Sequence, residues 1–439
     1  MEIVPVEVQL LIFNMLPTST LLTASQVCRE WCCLARDSLI WRRRFRSEVA
    51  PLLPTTASSS STSSTTMSSL TWFQRYARET RRLTLVLDET LEPEVVELGE
   101  PGMHARCMAF LPDGVEGRGR GLLITGCKRG RMEVVEVGEE SQEWKYDVVE
   151  VADRDAINSM CVLEGRRTPC VVLGMGRQLG GAVLWDVGKG EVVGQVGGHT
   201  DSVFGVASSA HHPWVATGGG QDDGRVLVHD VGEGGGSGRV VAELFHRGSV
   251  RAVAFDPLTP HTLLSGSLDK CLRLWDLRTG MEAGEGLEIK LPAGVHSLAL
   301  PRLLSHDQVV FASCGRPKNL LMAYDLRAIR PELPLATANC HSSAVSSLHI
   351  DAFKAVSISY DGSVAALSTP RFLNHNNHGG DVVVTEPQAV YSIPNQGKVP
   401  RGEDVVVLDG GYGGRGQLVT ASKSGLHMWQ FPSHTHSHT

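Results

Sequence analysis

His246, Ser265 and Asp269 supply the three side-chain types of an acyl-transfer triad: an imidazole base, a hydroxyl and a carboxylate. Comparable sets stand at His199, Thr217 and Asp223, and at His341, Ser357 and Asp361. A catalytic set occurs once in a protein and needs its nucleophile on an exposed elbow. Here the set recurs at a regular interval, so these residues read as scaffold and no hydrolase is expected. Metal chemistry fares no better. The histidines of NHNNHGG and the tail residues His434, His436 and His438 lack companion ligands and read as solvated side chains. The ten cysteines show no paired CxxC spacing, and Cys28, Cys32 and Cys33 fall in an apolar helical stretch; reduced thiols are expected. No metal and no cofactor is expected.

The elements that position these sets follow a longer period. Residues 263–277, LLSGSLDKCLRLWDL, predict a strand, a tight turn at Asp269 and a second strand ending in Trp275-Asp276. The same register ends at Trp185-Asp186, His229-Asp230 and Tyr324-Asp325, so that Trp185, His229, Trp275 and Tyr324 lie 44, 46 and 49 residues apart. Searching outward adds Val135, Leu367 and Trp429, and the seven anchors lie 50, 44, 46, 49, 43 and 62 residues apart. A period of about 40–50 residues with alternating strands predicts a β-propeller, one four-stranded blade per repeat. Seven anchors predict seven blades over residues 94–431. The long last interval is assigned to loops at 371–386 and 394–402. After Trp429 there is no room for a fourth strand in the last blade, so Glu94–Leu98 is expected to complete it and leave no open edge.

Composition narrows the classes of function. Charged residues are 20%, Gly reaches 47, and the net charge is −7. That balance argues against a dedicated nucleic-acid binder, which needs a basic face to release counterions. No apolar run approaches the roughly 18 residues of a membrane span. Glu2 and Glu7 stand where a secretory signal would carry basic residues, so none is expected.

Residues 1–48 break the strand pattern. Val8, Leu11, Ile12 and Met15 share one helical face; Pro5 suits a first turn, Pro17 a stop, and Thr18-Ser19-Thr20 a cap for the next helix. A third helix is predicted to carry Val27, Trp31, Leu34 and Ala35, with Ile40-Trp41 following. So small a core predicts a module that buries apolar surface on a partner. Residues 49–93 are read as a connector with a Ser/Thr-rich insertion at 54–69 and a basic helix at 69–82. Residues 432–439 are read as a disordered tail.

The blades resemble the WD-repeat family, on His199, His246, His341 and His104 before the first strands and the Trp-Asp phrases after the third. The resemblance implies that His246, Ser265, Asp269 and Trp275 hydrogen-bond in sequence, with His229 and Leu367 replacing Trp in the third and sixth blades. Pro5, Ile12-Phe13, Val27-Cys28-Arg29, Trp31, Asp37 and Ile40-Trp41 resemble an F-box. The whole is thus an all-β, seven-bladed WD-repeat propeller behind a small α-helical F-box domain. It resembles the substrate receptors of SCF-type (Skp–cullin–F-box) ubiquitin ligases.

The resemblance implies a Skp-type adaptor, through it cullin and a RING subunit, and a substrate protein on the propeller. No nucleic-acid or membrane partner is expected, and residence is expected in the cytoplasm, the nucleus or both. Such a receptor is not itself an enzyme. Adaptor contact is expected among Pro5, Leu10, Leu11, Phe13, Leu22, Val27, Trp31 and Trp41. Substrate contact is expected where first strands begin, at Ala109, Phe204, Arg251, His296, Ser346 and Val407, and before the turn Asp, at Asp222, Leu268 and Tyr360. Arg251 stands out, with Arg129, Arg177 and Arg316 nearby in register; a phosphate-reading pocket is under-supplied, and a mixed aromatic-polar surface of Phe204, Arg251, His296 and Tyr360 is preferred. The alternative is a non-ligase scaffold that assembles protein complexes.

Overall fold

The computed structural model describes residues 5–16, 18–50, 70–98, 104–111, 121–137, 146–151, 155–163, 168–232, 238–279, 287–300, 309–326, 334–351, 353–374, 384–394, 401–408 and 416–431. The Ser/Thr tract at 54–69, the histidines of NHNNHGG and the tail lie outside the described residues. The protein divides into two compact units, Met1–Leu83 and Thr84–Thr439.

The first unit is helical: α1 (Val6–Met15), α2 (Thr18–Ala24), α3 (Arg29–Ala35), α4 (Ser38–Arg44) with a π-helical turn at Phe45–Val49, and α5 (Trp72–Leu83). Local chemistry sets the boundaries. The Cys28 sulfur accepts from the Trp31 N–H at 3.4 Å and caps α3. The Asp37 carboxylate accepts from the Leu39 N–H at 2.8 Å and caps α4. Two details differ from the sequence expectation. Thr18 opens α2 from inside its first turn, where its hydroxyl accepts from Arg44 at 2.6 Å. Val27 precedes α3 instead of lying on it.

Trp41, 1% exposed, anchors this unit. Its Nε1–H donates to the Ala35 carbonyl at 2.6 Å, and its ring meets those of Phe73 and Tyr76, each at 4.9 Å. Beside it Arg44 and Glu48 form a buried pair at 3.3 Å, and the Tyr76 hydroxyl donates to Glu48. Helices of seven residues cannot enclose a core alone; the aromatic residues of α5 supply what α4 lacks.

The second unit is a ring of seven sheets, six of four antiparallel strands and one with a fifth strand added. Second strands such as Cys170–Met175 and Val309–Cys314 are buried along their whole length, as strands covered on both faces must be. All seven sequence anchors occupy one register. Val135, Trp185, His229, Trp275, Tyr324, Leu367 and Trp429 pair with Leu123, Val171, Val215, Leu263, Val310, Ala355 and Leu418. The ring closes as expected: Glu94–Leu98 pairs antiparallel with Gly425–Phe431, with Val95 opposite Trp429 and Leu98 opposite Leu426.

Residues 371–386 are not all loop. A helix, α6 (Thr369–Asn374), buries Phe372 against Phe311 with ring centroids 5.8 Å apart, and Val384–Thr385 adds a fifth, parallel strand to Ala336–Asn339 in blade five. The apolar Phe372 gives this insertion an anchor that its polar neighbours conceal in the sequence.

Candidate functional site

The triad-like sets are structural. In blade four, His246 Nε2 meets the Ser265 hydroxyl at 2.7 Å, His246 Nδ1 meets Asp269 at 3.0 Å, and Trp275 Nε1–H donates to Ser265 at 2.7 Å. Burial opposes ionisation of Asp269. The His246 bond and the N–H groups of Arg247 and Cys271 outweigh it and hold the carboxyl well below the usual range. A serine so enclosed cannot meet a substrate. Blade three keeps His199 between Asp223 and Thr217, the latter at 2.8 Å. In blade six the set is altered. His341 bonds Ser357 at 2.8 Å and Ser363 at 2.6 Å, and Ser363 relays to Asp361, which stands 3.9 Å from the imidazole. Blade seven retains Trp429 donating to Thr420 at 3.0 Å.

Every first strand carries a β-bulge after its first residue: between Ala105 and Cys107, Ile157 and Ser159, Val203 and Gly205, Val250 and Ala252, Val295 and Ser297, Val345 and Ser347, and Gly402 and Asp404. A bulge re-aims the extra residue. The seven extra residues, Arg106, Asn158, Phe204, Arg251, His296, Ser346 and Glu403, all line one cavity of about 350 Å³. Tyr360, Lys128 and Lys423, each one residue past the end of a second strand, line it too, as does Arg401.

The four preferred substrate residues therefore converge. The Arg251 guanidinium lies over the Phe204 ring at 4.0 Å, and Arg401 lies over Tyr360 at 3.9 Å. His296 meets Tyr360 edge to face at 6.1 Å. Burial, helped by Arg251 and Arg401, lowers the His296 pKa to about 4, so the ring is neutral near pH 7. Arg106 donates to Asn158, and Arg401 pairs with Glu403 at 3.2 Å. Asp404 accepts from the Met108 N–H at 2.7 Å, and burial raises its pKa to about 6.

Ala109 and Val407 do not hold the register expected of them; Arg106 and Glu403 do. In blade one the cause is a short lead into the strand. Val203, Val250 and Val345 follow their histidines by four residues, whereas Ala105 follows His104 directly. His104 is accordingly exposed at the cavity, and Thr125 Oγ1 is buried without a hydrogen-bond partner among the described residues. A usable signal was the small residue after six of the seven bulges, at Cys107, Ser159, Gly205, Ala252, Ser297 and Ser347; a Cβ on Gly205 would stand 3.2 Å from the Arg251 carbonyl oxygen. Leu268 and Asp222 do not line the cavity; Asp222 pairs with exposed Arg177 at 3.2 Å. Arg129 and Arg316 do not line it either.

In the helical unit, the sequence residues separate by burial. Phe13 and Trp41 belong to the core. Leu11 and Val27 are 63% and 62% exposed, Pro5, Leu22 and Trp31 are also exposed, and Leu10 is half-buried. The stripe of Val8, Leu11, Ile12 and Met15 faces solvent along α1. Ile12, Leu16, Ala24, Val27 and Trp31 border a groove of about 610 Å³, with Phe13 at its base, edge to face with Trp31 at 5.6 Å.

No helix of the described residues is long and apolar enough to cross a membrane. A search of the curated proteins finds no match. The family model F-box-like matches residues 1–47, and the model WD domain, G-beta repeat matches residues 190–230 and 238–276. Each WD match starts near the outer strand of one blade and ends on the third strand of the next. An F-box-like domain followed by WD repeats set in a seven-bladed propeller gives this protein the architecture of an F-box/WD-repeat protein.

Proposed function

We propose that this protein is the substrate-recognition subunit of an SCF-type ubiquitin ligase. The architecture is typical of non-catalytic adaptor or receptor proteins. The helical unit docks on a Skp-type adaptor, and through it on cullin and a RING subunit. The propeller mouth holds a substrate protein. Catalysis by such a receptor is positional: it raises the effective concentration of a target lysine near the ubiquitin-conjugating enzyme and makes or breaks no bond itself.

The observation that carries this reading is the exposed apolar face of α1 and its groove, on a unit whose own core is already filled by Trp41 and α5. A solvent-facing apolar stripe with no role in its own core marks a docking surface. We propose Pro5, Leu10, Leu11, Leu22, Val27 and Trp31 as the contacts with the adaptor.

The test is co-purification of the full-length protein with a Skp-type adaptor and cullin. Leu11→Asp with Val27→Asp is expected to abolish adaptor capture without changing propeller stability. Arg251→Glu with Tyr360→Ala is expected to abolish substrate capture and leave adaptor capture intact. A parent protein that captures no adaptor would favour the scaffold reading.

A further inference from the structure

We infer that the propeller mouth binds a carboxylate presented by an extended peptide, with Arg251 as its fork. This rests on the receptor reading above and names the chemistry its substrates must carry.

Arg251 is the extra residue of the blade-four bulge, and its guanidinium carbon lies over the Phe204 ring, 4.0 Å from the centroid. The aromatic contact uses one face of the guanidinium and leaves its terminal N–H groups for an in-plane ligand. Among the described residues Arg251 makes no hydrogen bond and no ion pair, and its Nε is buried. Burial lowers its pKa. An unpaired, partly desolvated cation is costly unless a ligand completes it.

The other cations of the mouth are placed differently. Arg401 is paired with Glu403 at 3.2 Å, and Arg106 donates one N–H to the neutral amide of Asn158, which orients it without cancelling its charge. Lys128 and Lys423 are exposed on the rim, where they steer an anion by long-range attraction. One free guanidinium matches one planar carboxylate through two parallel N–H bonds. A phosphate dianion would ask for more: Glu403 and Asp404 share the same wall and oppose a second negative charge.

Volume and lining set the rest of the ligand. About 350 Å³ admits one or two side chains and excludes a folded domain. Phe204, Tyr360 and the neutral His296 offer aromatic walls for the stem or neighbour of the acidic group. The carboxylate can belong to an Asp or Glu side chain or to the C-terminus of a polypeptide; the chemistry at Arg251 is shared.

Four fluorescent pools of short, degenerate peptides distinguish these sources by anisotropy on the full-length protein. One carries a single Glu and an amidated C-terminus. One has no acidic residue and a free C-terminus. One carries a single phosphoserine and an amidated C-terminus, and one has no anion. At least one carboxylate pool is expected to bind about tenfold more tightly than both the phosphoserine and the anion-free pools. Arg251→Gln is expected to erase that preference and Arg251→Lys to retain part of it, with unchanged melting temperatures. Tightest binding by the phosphoserine pool, equal binding by all four, or a preference that survives Arg251→Gln would overturn the inference. Adaptor capture by the same protein is a separate readout. Adaptor capture without a preference for carboxylates sinks this inference alone, and a preference for carboxylates without adaptor capture sinks the ligase reading alone.

Discussion

Trp275 holds blade four through both its ring and its N–H. The ring is buried and packs edge to face with His246 at 6.2 Å, while Nε1–H fills one site on Ser265. Trp275→Ala removes the largest side chain of its cluster and leaves a buried hydroxyl one bond short. It is expected to cost about 3–5 kcal/mol, read from the shift of a denaturant midpoint. A loss below about 1 kcal/mol, the size of a surface change, would mean that the set does not hold the blade. Blade three shows the lighter version. His229 fills the Trp position, burial drives its pKa to about 4, and Thr217 donates instead to the Leu227 carbonyl at 3.3 Å.

At the scale of elements, the short strand Glu94–Leu98 closes a ring that starts some 330 residues before its partner, Gly425–Phe431. Leu98 is buried with Leu426 and Met428, and Val95 packs near Trp429. Deleting residues 94–98 exposes the edge of the last blade and opens that core. The melting temperature of the propeller is expected to fall by several degrees or more, and an unchanged melt would show that the ring holds without its closing strand. The α1 helix is the contrasting case. Its apolar stripe faces solvent, so the hydrophobic periodicity that normally marks a core face here marks a surface.

Across the whole propeller, buried histidines set the response to acid. His229, His296 and His341 each have a pKa near 4, in every case chiefly through burial, against an ordinary value of 6.5. Below pH 6.5 the unfolded polypeptide takes up protons that the folded one refuses, so stability falls as pH drops from 6.5 toward 4. Asp404 acts in the opposite sense. Its pKa is raised to about 6 from 3.8, so its contribution is present below pH 3.8 and is lost as pH rises through 6. Burial raises Glu403 in the same sense, but it also lowers His104, His199, His212 and His427, so the histidines outnumber the carboxyls and the melting temperature is expected to decline between pH 6.5 and 4. His229→Phe should make that decline shallower; a melt that is flat or rises with acid would contradict the assignment of neutral buried imidazoles.

Sequence alone determined the repeat. Strand alternation and the anchors from Val135 to Trp429 are local features, so seven blades, the register of each third strand and the closing strand were all legible in it. The helical unit was legible as a module with surface to bury, because its apolar stripe exceeds what helices of this length can enclose. Five of the mouth residues, Phe204, Arg251, His296, Ser346 and Tyr360, were also reached, because the blade period places the start of each first strand and each turn before the third strand. Tertiary structure decided the rest. Only ring closure brings blade one beside blade seven, so only the fold sets Arg106, Lys128, Arg401 and Lys423 around one cavity. Only the bulges, which depend on pairing between strands, turn Arg106 and Glu403 inward where counting pointed to Ala109 and Val407. The separation of Phe13 and Trp41 from Leu11 and Val27 was equally hidden, because a helix shows which residues share a face but not which face its neighbours cover.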